Sequence, residues 1–248
     1  MSIPTIEQRL AVRNRPIGGS VMKQRWAGLL FLHWQIDADL IAARLPKGLH
    51  VDLYQEKAWI GIVPFFMQRV RPIGLPPLPG VSWFLELNVR TYVHDDAGNP
   101  GVWFFSLDCN QPLAVEIARR TFHLPYEHAE MKAHNSAGGI NYYSRRRTPS
   151  SAGSNFTYQL PTSTQPAKPG SLEWFLVERY LLFSTRRNGE LYCGQVHHPP
   201  YQIETGICTR WSAETLALDG FPPPATPPES ILTAAPVDVL IHPLRRLS

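Results

Sequence analysis

The sequence predicts one strand-rich α+β domain in which mostly antiparallel strands form a closed or partly closed β-barrel with a few short helices. The chain holds 24 prolines in 248 residues, which favours turns and short elements over long helices. Several segments alternate apolar and polar residues, as half-buried strands do. Because no repeat or shift in composition divides the chain, residues 1–248 are expected to fold as one domain, and so many antiparallel strands close most easily into a barrel.

Composition limits the classes of function. The net charge is +4, which suits small anionic ligands, and the one basic and aromatic cluster, at 142–147, is too short to favour nucleic-acid binding. The three cysteines form no CxxC pair, so we expect no disulfide framework or zinc site and a reduced, cytoplasmic setting. The first residues lack the apolar region of a signal peptide, and the run 29–32 is too short to cross a membrane.

The elements follow from periodicity and from turn residues. In the first part we expect an N-terminal arm at 1–19 with a short helix at 4–13, a long strand at 20–36, a helix capped by Asp37, strands at 49–54 and 57–70, and a proline-rich loop at 71–80. In the second part we expect a hairpin of strands 83–93 and 101–108, a helix at 111–123 capped by Asn110, strands at 126–135 and 139–147, a loop at 148–170 with one short strand, a hairpin turning at Asn188-Gly189, a proline-rich tether at 220–229 and a last strand at 237–242.

The clearest alternation, at 83–93, supplies the main candidate site. Glu86, Asn88, Arg90 and Tyr92 share one face, and apolar residues occupy the other. If the polar face lines the barrel interior, Glu86 is a buried carboxylate with a raised pKa, suited to acid–base chemistry. The alternative is a solvated face or an ion pair. Arg90 lies about 13 Å along the strand, where it can hold the far end of a ligand.

Other motifs point to fewer functions. Ser106 shares a strand face with Asp108 and is a candidate ligand contact, although Asp108 can equally serve the following turn. Neither His33 nor the pair His197-His198 has a third ligand at metal-site spacing, so no metal is expected. The sequence contains no nucleotide-binding or serine-hydrolase motif, and no cofactor is implied.

Three segments carry a family resemblance. QRWAGLLFLHWQIDADLIAARLPKGLHVD, FLELNVRTYV and GVWFFSLD with AVEIARRTFHLPY resemble the YqjF-like family of unknown function, from about residue 20 to 243. That family is similar to the acetoacetate decarboxylase superfamily, which implies an acetoacetate decarboxylase-like barrel. The resemblance places Glu86 at an active-site glutamate and Arg25 near a substrate-binding arginine. It also gives Arg119 a candidate substrate-binding role.

The same resemblance argues against the superfamily's reaction. Its Schiff-base lysine and the neighbouring lysine correspond here to Tyr126 and Glu127. A Schiff base needs a primary amine, which a phenol cannot supply; acetoacetate decarboxylase itself is a standard example of a lysine activated by a neighbouring cation. Tyr126 can instead donate a hydrogen bond to a carbonyl oxygen, or it is a boundary tyrosine with a wet hydroxyl. Lys132 is the one lysine that could restore amine chemistry, but its strand face is expected in solvent.

These observations predict a pocket for a small carboxylate or carbonyl compound. If the protein is an enzyme, we expect a cofactor-independent lyase or isomerase in which Glu86 shuttles a proton, Arg25 holds a carboxylate and Tyr126 polarises a carbonyl. Two alternatives stay open: a binding module that has the cavity without chemistry, and a structural or partner-binding protein. Homo-oligomerisation also stays open, and neither nucleic acid nor a membrane is an expected partner.

Overall fold

The computed structural model describes residues 3–136 and 139–247, which form 17 strands and five helices. The helices are α1 (Ile6–Ala11), α2 (Ala38–Ala42), α3 (Pro112–Thr121), α4 (Leu172–Val177) and α5 (Glu214–Leu218). The strands are β1 (Met22–Ala27), β2 (Leu29–Ile36), β3 (Leu49–Val51), β4 (Ala58–Pro72), β5 (Phe84–Asp95), β6 (Pro100–Cys109), β7 (Tyr126–Ser136), β8 (Gly139–Arg146), β9 (Ser154–Tyr158), β10 (Gln165–Pro166), β11 (Leu181–Thr185), β12 (Leu191–His197), β13 (Gln202–Thr205), β14 (Cys208–Arg210), β15 (Ser230–Ala234), β16 (Val237–Ile241) and β17 (Arg245–Arg246).

Seven of these strands form a ring. The pairing runs β1–β4–β5–β6–β11–β12–β16 and returns to β1. Every pair in the ring is antiparallel except β6–β11, which is parallel. The β6–β11 and β12–β16 contacts each join only two residue pairs, so the barrel is partly closed. The predicted strand-rich α+β barrel is therefore confirmed.

Further strands extend the wall of the ring and form an outer layer. β2 pairs with the first half of β4 and continues through β15 and β13 to β10. β7 pairs in parallel with the end of β6 and begins a second layer of strands, β7–β8–β9–β14. One apolar core fills the barrel interior, and a second fills the space between the barrel wall and this outer layer.

Strand β5 is buried along its whole length because the two cores lie on its opposite faces. Leu85, Leu87 and Val89 pack into the outer core. Glu86 and Arg90 point into the barrel. The polar face of this strand therefore points into the barrel, an orientation that the sequence left open.

Glycine 28 divides a segment that the sequence predicts as one strand. Gly28 has a φ of +57°, a left-handed conformation that favours glycine. A Cβ there would lie 2.5 Å from Cδ2 of Phe66. The prediction of a single strand at 20–36 is therefore wrong, and β1 and β2 pair with different parts of β4.

Several predicted boundaries also differ. Gln111, rather than Asn110, caps α3, because the Asn110 side chain accepts a hydrogen bond from the backbone N–H of Leu85. The loop at 148–170 contains two short strands instead of one, and two longer strands, β15 and β16, follow the proline-rich tether. Residues 137 and 138, between the strands predicted at 126–135 and 139–147, lie outside the described residues. The longest described helix has ten residues, against roughly 20 that a membrane-spanning helix needs.

A buried ion network ties the outer layer to the barrel. Arg146 of β8 contacts Asp108 at 2.7 Å and Asp219 at 2.8 Å, and it donates to the hydroxyl of Ser106 at 2.7 Å. Arg146 and both carboxylates are at least nine-tenths buried. Removing one member of such a network leaves the remaining charges buried and uncompensated.

We expect Arg146→Ala to lower the free energy of unfolding by about 3–5 kcal/mol, because two buried carboxylates lose their cation. The matched control is Arg145→Ala, which removes an exposed arginine that contacts Glu130 at 3.0 Å. The control should cost about 1 kcal/mol or less. Urea unfolding of both variants at neutral pH measures the difference, and equal losses would contradict a structural role for the network.

Candidate functional site

The barrel encloses a cavity of about 270 Å³. Each of the seven ring strands contributes at least one side chain to its wall, and helix α3 lies across one end. The wall is mostly apolar. Its polar side chains on β5 are Glu86, Asn88 and Arg90, which follow one another along the same face.

Burial changes the acidity of Glu86. The side chain is 3% exposed, and desolvation raises its pKa from an ordinary value of 4.5 to about 7. Hydrogen bonds to the side chains of Tyr126 and Asn88 oppose this shift without cancelling it. A carboxyl group with a pKa near neutrality can both accept and donate a proton at physiological pH.

Tyr126 contacts Glu86 directly. Its hydroxyl donates a 2.7 Å hydrogen bond to Oε2 of Glu86. The parallel pairing of Leu107 with Tyr126 starts β7 beside β6 and brings the tyrosine to the cavity wall. Desolvation, and then the nearby Glu86 charge, raise the pKa of Tyr126 well above its ordinary value, so the phenol keeps its proton. The structure thus brings together the two residues that the sequence proposed as catalytic.

Arg90 is the buried cation of the cavity. One guanidinium nitrogen donates to the carbonyl of Leu176 at 3.0 Å, and the group lies 5.3 Å from the ring centroid of Phe31. Nε of Arg90 and Oδ1 of Asn88 are buried without a hydrogen-bond partner among the described residues. Unpaired buried polar atoms are costly, and a bound polar group would satisfy them.

Apolar side chains surround the opening of the cavity. Leu113 and Ile117 of α3 line it and are 51% and 42% exposed. Val81, in the loop before β5, lines the same opening and is also exposed. A ligand entering here meets apolar surface first.

The structure does not bring the other three candidates to the cavity. Arg25 contacts Asp238 at 3.2 Å and points outward, because Gln24 and Trp26 on either side of it line the cavity. Ser106 belongs to the Arg146 network. Arg119 donates to the backbone carbonyl of Tyr126 at 2.7 Å from outside the barrel, and it contacts Glu127.

Lysine does not occur in the cavity wall among the described residues. Lys132 is 73% exposed and contacts Glu130 at 2.9 Å. Sequence reasoning gave no role to Asn88, nor to Gln24, Arg71 and Tyr201, which also line the cavity. The alternation at 83–93 could have identified Asn88, because this residue lies on the same face as Glu86.

We expect the wild-type protein to lose stability relative to Glu86→Gln as the pH rises from about 4.5 to about 7. The folded state binds the Glu86 proton more tightly than the unfolded state, so stability is fully present in acid and falls through this window. At about 1.4 kcal/mol per pH unit, the relative loss is roughly 3 kcal/mol. Urea unfolding at several pH values measures it, with Glu130→Gln as the exposed control. A pH-independent difference would contradict the burial of Glu86.

Sequence comparison identifies the family. Residues 23–238 match the DUF2071 family, described as an uncharacterized conserved protein. The chain is 38% identical over 241 residues to the uncharacterized protein YqjF of Bacillus subtilis (strain 168), and the match covers 94% of this chain and 95% of that protein.

Structure comparison identifies the fold. Acetoacetate decarboxylase from Legionella pneumophila superposes with a TM-score of 0.62 at 12% identity, covering 100% of this chain and 97% of that chain. The enduracididine biosynthesis enzyme MppR, complexed with pyruvate, superposes with a TM-score of 0.60 at 12% identity, covering 94% and 92%. The chain therefore belongs to the DUF2071 family and has the fold of the acetoacetate decarboxylase-like enzymes.

Proposed function

We propose that this protein is a cofactor-independent acid–base enzyme that acts on a carbonyl compound carrying a carboxylate and an apolar chain. The observation that carries the proposal is the buried Glu86 carboxyl, held by Tyr126 inside an apolar cavity. Its pKa of about 7 matches the demand on a group that removes and returns a proton near neutral pH. Proton transfer at the carbon beside a carbonyl is the step common to the lyase and isomerase reactions that the sequence suggests.

Each polar residue has a separate task in this proposal. Glu86 moves the proton, and Tyr126 positions the Glu86 side chain by donating a hydrogen bond to one carboxylate oxygen. Because that donation uses the hydroxyl proton, Tyr126 acts as a positioning residue here. Arg90 binds the ligand carboxylate through its guanidinium, whose Nε has no hydrogen-bond partner among the described residues.

The apolar wall supports a ligand with a hydrocarbon portion. Glu86 and Arg90 lie four residues apart on one strand, about 13 Å between Cα atoms. The wall around them also includes Asn88 and is otherwise mostly aromatic and aliphatic. Pyruvate, the ligand named for the MppR structure, is a small member of the α-keto acid class that we propose.

The setting that we propose is the cytoplasm. Cys109, Cys193 and Cys208 are all free, and the first two are buried. Unpaired thiols persist in a reducing compartment.

We expect wild-type protein to exchange the hydrogens beside the carbonyl of an α-keto acid with deuterium from heavy water, which proton NMR detects as signal loss. The rate should rise as the pH passes about 7, because the carboxylate form of Glu86 is the base. Glu86→Gln should lose this exchange, typically a 10²–10⁴-fold effect for a general base. Glu130→Gln, which changes an exposed carboxylate, should retain it.

Two other outcomes have distinct meanings. Exchange that survives in Glu86→Gln would refute the role of this residue. If keto acids raise the melting temperature and no exchange occurs, the protein is a binding module without acid–base chemistry.

We expect affinity for straight-chain α-keto acids to increase from pyruvate to longer chains by up to about fourfold for each added methylene, until the cavity is full. Arg90→Gln should weaken binding by about tenfold or more, since a charge-assisted hydrogen bond is lost. Arg25→Gln is the matched control, because Arg25 points away from the cavity. Calorimetric titration measures all three proteins.

Methyl esters of the same acids test the carboxylate contact without a substitution that could alter the fold. An ester lacks the carboxylate, so it should bind wild type about as weakly as the acid binds Arg90→Gln. A loss of affinity in Arg25→Gln instead would restore the role that the sequence suggested for Arg25.

A further inference from the structure

A second concave surface lies behind the cavity wall. It is a groove of about 960 Å³, and Phe104, Leu124 and Tyr126 line both it and the barrel cavity. The groove therefore shares a wall with the proposed active site but opens to the outside. We call it the arginine groove, because its lining includes Arg44, Arg119, Arg120, Arg186 and Arg187.

The charge in the arginine groove is unbalanced. Five arginines line it, against a single carboxylate, that of Glu127. Structural contacts account for some of the arginines: Arg119 and Arg120 contact Glu116 or Glu127, and Arg186 contacts Glu190. Arg187 has no ion pair within 4.0 Å among residues 3–136 and 139–247. With Glu116 and Glu190 counted beside Glu127, five arginines meet three carboxylates, so the groove keeps a net positive charge.

Ser184, whose hydroxyl is buried, is among the residues that line the groove. Ser184 of β11 is 2% exposed, and its Oγ has no hydrogen-bond partner among the described residues. A buried hydroxyl without a partner destabilises the fold. A ligand oxygen bound in the groove would give this hydroxyl a partner.

The chemistry of the groove selects one class of ligand. Arginine binds phosphate and carboxylate oxygens through two parallel N–H donors, and several converging arginines favour a group with more than one negative charge. We propose that the arginine groove binds the phosphate group of a small molecule, with Arg187 and Ser184 among its contacts. The site is separate from the cavity and does not depend on the acid–base function proposed above.

The test measures binding of inorganic phosphate and pyrophosphate to the full-length protein by calorimetry. Chloride at matched ionic strength provides the reference for simple screening. We expect pyrophosphate to bind more tightly than phosphate, and both more tightly than chloride. Equal effects of the three salts would overturn the proposal.

Arg187→Gln should weaken pyrophosphate binding by about tenfold, because an arginine–phosphate contact is lost. Its matched control is Arg145→Gln, an exposed arginine on β8 outside the groove that carries the same charge change. An equal loss in the control would mean that net charge, and not the groove, governs binding. That result would also overturn the proposal.

Ser184→Ala supplies an independent readout. Removing an unpaired buried hydroxyl should leave the melting temperature unchanged or higher, while pyrophosphate binding weakens several-fold. A lower melting temperature with unchanged binding would show that the hydroxyl serves the fold. A short single-stranded oligonucleotide that binds more tightly than pyrophosphate would identify the groove as a nucleic-acid surface and refute the small-molecule assignment.

Discussion

A carboxyl group held inside an apolar barrel is the constraint on which the site depends. Seven paired strands bury Glu86 in a mostly apolar wall, so it loses most of the solvation that keeps an ordinary carboxylate charged. Hydrogen bonds to Tyr126 and Asn88 offset only part of that loss. The acidity of the group, the polarity of its surroundings and the shape of the space beside it therefore all follow from closure of the ring. The outer layer matters for the same reason, because it covers the other face of β5.

Much of the fold could be predicted, because strand periodicity is a local property of the sequence. The alternation at 83–93 predicts β5, and the Asn188-Gly189 turn predicts the hairpin of β11 and β12. The inward direction of Glu86 could not be predicted, because Leu85 and Leu87 on the opposite face are equally buried. The break at Gly28 could not be predicted either. It depends on Phe66, which approaches only after β1 and β4 have paired.

The candidate site could be predicted where one strand or a family resemblance fixed the position of a residue. It could not be predicted where the strand register decides which side of the barrel wall a side chain occupies. Glu86 and Tyr126 come together as a pair, although they lie far apart in the chain. Arg25 points out of the barrel because side chains alternate, so a shift of a single position changes its side of the wall. Ser106 also points outward. Opposite β5, the register shifts so that Val89 pairs with Ser106 and Arg90 pairs with Phe104, which leaves Phe105 unpaired.

The order of the ring strands has a consequence for the synthesis of the chain. β1, near the start of the chain, pairs with β16, near its end. β6 pairs with β11, although strands β7 to β10 lie between them in the sequence. A nascent chain lacking its last strands has no partner for one edge of β1, so the interior stays open to water. Until then we expect Glu86 to be hydrated like a carboxyl group of an unfolded chain. The raised pKa of Glu86 therefore arises only when nearly all of these strands have been synthesised. Folding is expected to be slow because the contacts that close the ring join strands remote in sequence.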